Sequence, residues 1–146
     1  MKWWWGLIAV LLVILILILG MDRQAGMLIE LKKKYRDMIE VLRKTGDPIW
    51  NPILKESIIT GLRGKKDGVI GSNVNKGYEI YICLDGDDVN SAMYILIHEM
   101  AHMTVPEYDH TEAFWTNFKR LKDICIEAGL YHKGGERNYC GDAIRD

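Results

Sequence analysis

The sequence predicts an α+β fold: a short mixed sheet and two packed helices behind an N-terminal apolar helix. Three observations carry this. The chain opens on an uncharged apolar run, Trp3 to Leu19. The 125 residues after Met21 suffice for one hydrophobic core but not two. Within them, helical apolar spacing brackets a stretch of glycine-punctuated short strands. The expected organisation is an anchor over residues 1–21, a juxtamembrane amphipathic helix over 22–48 and the folded domain over 49–146. A net charge of −1 gives no basic field of the kind that attracts nucleic acid.

The apolar run of 17 residues makes roughly 26 Å of helix, enough with Gly20 and Met21 for a bilayer core of about 30 Å. Trp3, Trp4 and Trp5 stand where an interfacial aromatic belt belongs. A cleaved signal peptide is the alternative. Its basic region would be only Met1-Lys2, and Ile18-Leu19-Gly20 makes a poor cleavage site, so a retained single-pass anchor is expected. Lys and Arg concentrate on the C-terminal flank, at Arg23, Lys32, Lys33, Lys34 and Arg36, against Lys2 on the other side. That bias places the domain in the cytosol, or inside a virion that budded from it.

Met27 to Arg43 reads as an amphipathic helix with apolar residues at 28, 31, 35, 38, 39 and 42, and Lys32-Lys33-Lys34 as its solvated face. Thr45-Gly46-Asp47-Pro48 ends it. Ile49 to Leu62 is a mixed apolar run that fits no single period. Gly61, Gly64, Gly68, Gly71 and Gly77 then separate short strands, of which Tyr78 to Leu84 is the clearest. Asp85-Gly86-Asp87-Asp88 is a turn. A helix should follow, capped by Asn90 or Ser91 and stopped by Pro106, burying Ile95, Leu96 and Met103. A last helix from Thr111 repeats apolar residues at 114, 118, 121 and 124 or 125.

The first of these two helices carries the chemistry. His98-Glu99-Met100-Ala101-His102 sets two imidazoles four residues apart, one turn above each other on one face, where they can share a metal ion. Glu99 is rotated about 100° from His98, off the ligand axis and beside the ion's open position. Imidazole suits zinc, and a site of three protein ligands and one water brings that water's pKa to roughly 7. The pattern points to metal-assisted hydrolysis, with a peptide bond as the expected target. The third ligand is expected to be His110, which follows a seven-residue loop (Met103 to Asp109) and precedes the last helix; Glu112, Glu107 and Asp109 are the rivals. Phe114 and Trp115 read as core residues that hold His110 in place.

This array, His98-Glu-Met-Ala-His102, a loop, then His110-Thr-Glu-Ala-Phe114-Trp115, resembles the SprT-like, WLM and YgjP-type minimal zinc metallopeptidases. The strand Asn75 to Leu84 resembles the one leading into their metal helix. Similar short proteins of large DNA viruses share an Ile-Cys-Leu strand and a Tyr-Cys-Gly near the C-terminus, here Tyr139-Cys140-Gly141. The resemblance covers roughly Gly71 to Leu130. It implies a zincin-like domain, one zinc ion held by His98, His102 and His110, and Glu99 as general base. Two departures stand out: the loop between His102 and His110 is longer than in many members, and it lacks the glycine of the metzincin pattern. Tyr108, Tyr131 and His132 are the candidates to steady an oxyanion.

The expected activity is therefore a membrane-anchored zinc metallopeptidase acting on protein or peptide substrates. The competing class is a non-enzymatic, membrane-tethered interaction or virion protein with structural zinc or none. Glu99 separates the two, because a purely structural site has no use for it. A zinc hydrolase of non-peptide substrates would use the same residues. Some members of the resembling family act on DNA-crosslinked proteins, but the one mid-chain basic cluster, Arg63, Lys65 and Lys66, reads as an exposed loop. Cys83, Cys125 and Cys140 are an odd number, so at least one thiol stays free. Cys83 and Cys125 read as small buried apolar residues, and Cys140 as a weak rival ligand.

Overall fold

The computed structural model describes residues 2–146. It opens on one unbroken helix, α1, Lys2–Thr45. The first half is apolar on every face and buries nothing against the rest of the chain; it is long and apolar enough to cross a membrane. The second half behaves differently. Met27, Leu31, Tyr35, Met38, Ile39 and Leu42 recur at helical spacing and are buried in the main core. The amphipathic stretch is thus one wall of the folded domain, continuous with the apolar helix. On its outer side Lys33 pairs with Asp37 at 2.8 Å, and Lys34 Nζ reaches across to the Leu130 carbonyl at 3.1 Å.

Gly46, at φ 65°, turns the chain out of α1 in the left-handed conformation a glycine adopts without strain. Asp47 then accepts a hydrogen bond from Ile49 N at 3.0 Å. The run that fitted no single period resolves into two short 3-10 turns, Pro48–Trp50 and Ile53–Lys55, followed by strand β1, Ile58–Leu62. Trp50 and Ile53 are fully buried. Pro48 and Pro52 break the run into pieces too short to show a period.

Strands β2, Gly71–Val74, and β3, Glu79–Cys83, complete a sheet of order β1-β3-β2. β1 runs parallel to β3 with Ile59 opposite Ile80, and β2 runs antiparallel to it with Gly71 opposite Ile82. β2 is therefore an edge. β1 lies along α1: Tyr35 Oη accepts from Ser57 N at 2.6 Å just before the strand, and Arg63 Nε donates to Gln24 Oε1 at 2.9 Å just after it.

Helix α2, Val89–Ala101, packs on the sheet, and α3, Glu112–Glu127, packs on α2. The cap of α2 is Asp88, whose carboxylate accepts from Asn90 N at 2.9 Å, rather than Asn90 or Ser91. Ser91 is instead buried, its hydroxyl donating to Asp88 at 2.5 Å. α2 also ends before Pro106, passing at His102 into a 3-10 turn over His102–Thr104. In α3 the buried apolar residues are Phe114, Phe118, Leu121 and Cys125, as the spacing predicts.

The chain ends in a hairpin of β4, Arg137–Tyr139, and β5, Asp142–Ile144. Its turn residues Cys140 and Gly141 both have positive φ, 48° and 83°, matching the mirror-image turns that favour tight hairpins. Cys83 is buried, as expected, but it is bonded to Cys140 in a disulfide, so neither sulfur is free to act as a ligand, and the hairpin is stapled to the end of β3. Tyr139 Oη reinforces the staple by donating to the Cys83 carbonyl at 2.7 Å. Cys125 alone stays free; burial pushes its thiol up to about 12.

Candidate metal centre

Residues 98 and 102 share a face of α2 and its 3-10 extension, and the loop from Met103 returns His110 to that face. The three imidazoles converge: His110 Nε2 lies 2.9 Å from His98 Nε2 and 3.2 Å from His102 Nε2. Two nitrogens bound to one tetrahedral zinc at 2.0–2.1 Å stand about 3.3 Å apart, so the spacing fits an ion after small outward shifts. Burial pushes the His98 imidazolium down to about 3 and His102 down to about 4, with the neighbouring histidines adding to the effect. Both rings are thus neutral with lone pairs free, the form a metal needs. Three imidazoles in one place suit zinc better than calcium or magnesium, which prefer oxygen. No carboxylate joins the cluster among the described residues. Glu107, Asp109 and Glu112 are all exposed.

Phe114 forms the floor of the cluster. It is fully buried, with its ring centroid 5.0, 4.3 and 4.7 Å from those of His98, His102 and His110. Trp115 differs from expectation. It is 48% exposed and lies against His110 with ring centroids 5.4 Å apart, so it is a cleft wall, not core. Thr111 caps α3 by accepting from Phe114 N at 3.3 Å, which fixes where the loop carrying His110 must end.

Polar contacts to β2 and to the turn that follows it hold the other side. Asn73 Nδ2 donates to the Glu99 carbonyl at 2.9 Å. Lys76 Nζ spans the loop between the second and third histidines, reaching the Val105 carbonyl at 3.1 Å and that of Glu107 at 2.8 Å. Lys76 has φ 51°, a conformation uncommon outside glycine and asparagine, and it aims the side chain at this loop.

Glu99 is 7% exposed, and burial alone pushes its carboxyl up to about 7. It faces the edge strand at Gly71, where an added methyl would sit 2.9 Å from Glu99 Oε1 and 2.4 Å from Ile95 Cγ2. Only glycine leaves that room. Gly71→Ala should therefore shift the carboxylate while sparing the histidines. If the site holds zinc and hydrolyses a substrate, zinc content should hold near wild type while that hydrolysis falls roughly 10–100-fold, as for a group misplaced by about 1 Å. Zinc analysis alongside a cleavage assay checks this, and unchanged turnover would mean that Glu99 is not held by the strand.

The histidines lie in a cleft of about 760 Å³ between β2 and the C-terminal hairpin, walled by Val69 to Gly71, Tyr94, Trp115 and Asp142 to Arg145. A narrower extension of about 150 Å³ leads from Glu99 and His102 toward Asn73, Lys76 and Tyr108. Of the oxyanion candidates, Tyr108 borders this extension. Tyr131 is buried and donates to Asp146 at 2.5 Å, and His132 is tied through its backbone to Asn90; neither lines the cleft. Gly71, Asn73, Lys76 and the hairpin wall were not legible as site residues. Gly71 stood out only as a strand breaker, and the hairpin arrives from some forty residues away in sequence.

No known protein family matches the chain, and no solved structure does. Three relatives are viral. An uncharacterised protein of Acanthamoeba polyphaga mimivirus is 38% identical over 81 residues, 49% of this chain and 41% of that protein. One of Invertebrate iridescent virus 6 is 34% identical over 85 residues, 51% of this chain and 47% of that protein. One of Invertebrate iridescent virus 3 is 36% identical over 55 residues, 36% of this chain and 35% of that protein. The chain thus spans less than half the length of these relatives.

Proposed function

We propose that this chain is a membrane-anchored, zinc-dependent metallopeptidase hydrolysing peptide bonds of protein or peptide substrates, as its resemblance to the SprT-like, WLM and YgjP-type enzymes implies. The observation that carries the reading is the joint placement of three convergent imidazoles and a buried carboxylate on one cleft. His98, His102 and His110 would hold the ion. Zinc bound there would supply Lewis-acid chemistry, acidifying water and polarising a carbonyl. Glu99, pushed up to about 7 by burial, accepts the proton of the attacking water and returns it to the leaving amine. The free edge of β2 offers backbone groups along which an extended substrate can add as a further strand. The test is zinc content of the detergent-solubilised full chain together with cleavage of an unfolded protein; zinc without cleavage of any protein or peptide favours the interaction-protein class.

In this reading α1 is a retained anchor and the domain lies on the cytosolic side, the side favoured by the flanking Lys and Arg. The Cys83–Cys140 disulfide pulls the other way, because disulfides persist mainly in oxidising compartments. Lys55→Asn settles the matter by creating the acceptor Asn-Glu-Ser at an exposed turn. In a microsomal translation system the variant is expected to stay unglycosylated and to resist carbonate extraction. Efficient glycosylation reverses the orientation, and release into the lumen replaces the anchor by a cleaved signal.

A further inference from the structure

We propose that the cleft is built to receive polypeptide emerging from the same bilayer that α1 enters, and to cut it about six residues beyond the membrane boundary. This rests on the peptidase reading and on α1 crossing the membrane.

The first ground is rigidity. No linker separates the apolar half of α1 from the half buried in the core, since one helix contains both. Just past the apolar segment, the domain is tied to that helix again. Arg23 pairs with Asp87 at 2.5 Å, Gln24 Nε2 donates to Asp85 at 3.0 Å, and Arg63 donates to Gln24. The domain therefore cannot swing freely over the bilayer, and its cleft has a set height and heading.

The heading follows from the two contacts that bracket β1. Between Gln24 and Tyr35 the helix rises about 16 Å, and between Ser57 and Arg63 the strand covers about 20 Å. Strand and helix thus run nearly along one axis, in opposite senses. β2 is two strands away in the same sheet. A twist of roughly 20–25° per strand turns it by about 40–50° from β1, oblique to α1. Even with the membrane helix tilted by about 20°, the line of β2 still rises obliquely away from the bilayer surface.

The wide end of that cleft faces the membrane. Gly71 lies opposite Ile82, near the end of β3, and β3 leads to Asp85, which touches Gln24. The disulfide fixes the hairpin wall at this same end, through Cys83. The narrow extension toward Lys76 and Tyr108 is the far end. A chain leaving the bilayer thus meets the wide mouth first and passes the three histidines on its way outward.

The height follows from α2. His98 stands eleven residues beyond Asp87, about 16 Å of chain at helical rise, and Arg23 stands two residues beyond Met21, about 3 Å. His98 is then about 20 Å of chain from the hydrocarbon boundary, the reach of roughly six extended residues.

The test uses the zinc-loaded full chain in liposomes with a single-pass substrate bearing an unstructured tail of uniform repeated sequence, its cuts mapped by mass spectrometry. Cuts should centre about six residues from the membrane. Seven helix-forming residues inserted between Met21 and Asp22 raise the domain by two turns, about 10 Å, and should move the cuts outward by about three residues. The same tail without its membrane helix should be cut about tenfold more slowly at matched concentration. Cut positions unmoved by the insertion, in a variant still holding one zinc, overturn the proposal, as does equal cleavage of free and anchored tails; both leave the peptidase reading intact. Shifting a single permissive stretch along the tail gives the same readout with the unaltered enzyme. A zinc-loaded chain that cuts neither substrate overturns the peptidase reading and this one with it.

Discussion

Zinc bound by the purified full chain should fall from about one ion to near none in each of His98→Ala, His102→Ala and His110→Ala. The reason is geometric. His110 Nε2 sits within hydrogen-bonding range of both His98 and His102, and the three ligand atoms lie within 4.8 Å of one another, so each supplies a third of the protein donor set, and two imidazoles cannot hold a catalytic zinc at ordinary affinity. Glu112→Gln is the matched control. Glu112 is exposed in the first turn of α3 and stands outside the cluster, so its amide variant should keep zinc at the wild-type level. The ranking carries the information. Loss in Glu112→Gln with retention in His110→Ala would move the site to two histidines and a carboxylate, leaving His110 as a loop residue. Zinc unchanged in both His98→Ala and His102→Ala would remove the metal reading altogether. Because Phe114 is packed beneath all three rings, the alanine variants should be checked for retained helicity, which separates lost ligation from lost fold.

What the sequence made legible follows physical range. The His98–His102 pair and Glu99 needed only helical geometry, which acts over four residues, and the structure sets them as that geometry requires. His110 needed a loop of seven residues to return, and the case for it was residue type, its place at the start of the last helix and the family resemblance; its convergence is a property of the folded chain. The periodic faces of α1 and α3 were readable because burial on one side repeats every turn. The cap of α2 was misplaced by two to three residues because four candidates for it, Asp87, Asp88, Asn90 and Ser91, stand close together. Trp115 read as core because Phe114-Trp115 is an apolar pair, but neighbours on a helix point about 100° apart and only one can face inward. The disulfide was illegible because it spans 57 residues, a distance over which local pattern says nothing. The residue that leaves room for Glu99, Gly71, comes from a different element through sheet pairing, and no local signal marks that contact.

Glu99→Gln should lower hydrolysis by roughly 10²–10⁴-fold, the range for a positioned acid–base group, with zinc content and fold retained. The substitution removes the proton acceptor and keeps the size of the side chain. It also leaves the donor set untouched, since Glu99 is outside the three-histidine cluster. Stability should not suffer. The carboxylate is 7% exposed and costly to keep charged there, and a neutral amide of the same shape relieves that cost. The contact that anchors this stretch of α2, from Asn73 Nδ2 to the Glu99 carbonyl, is made by the backbone and survives the exchange. Zinc titration, a melting curve and a cleavage assay on the same preparation separate the possibilities. Activity lost with zinc kept supports a proton-transfer role. Zinc lost with activity would make Glu99 a ligand or a strut, and full activity in the amide variant would show that some other group carries the proton.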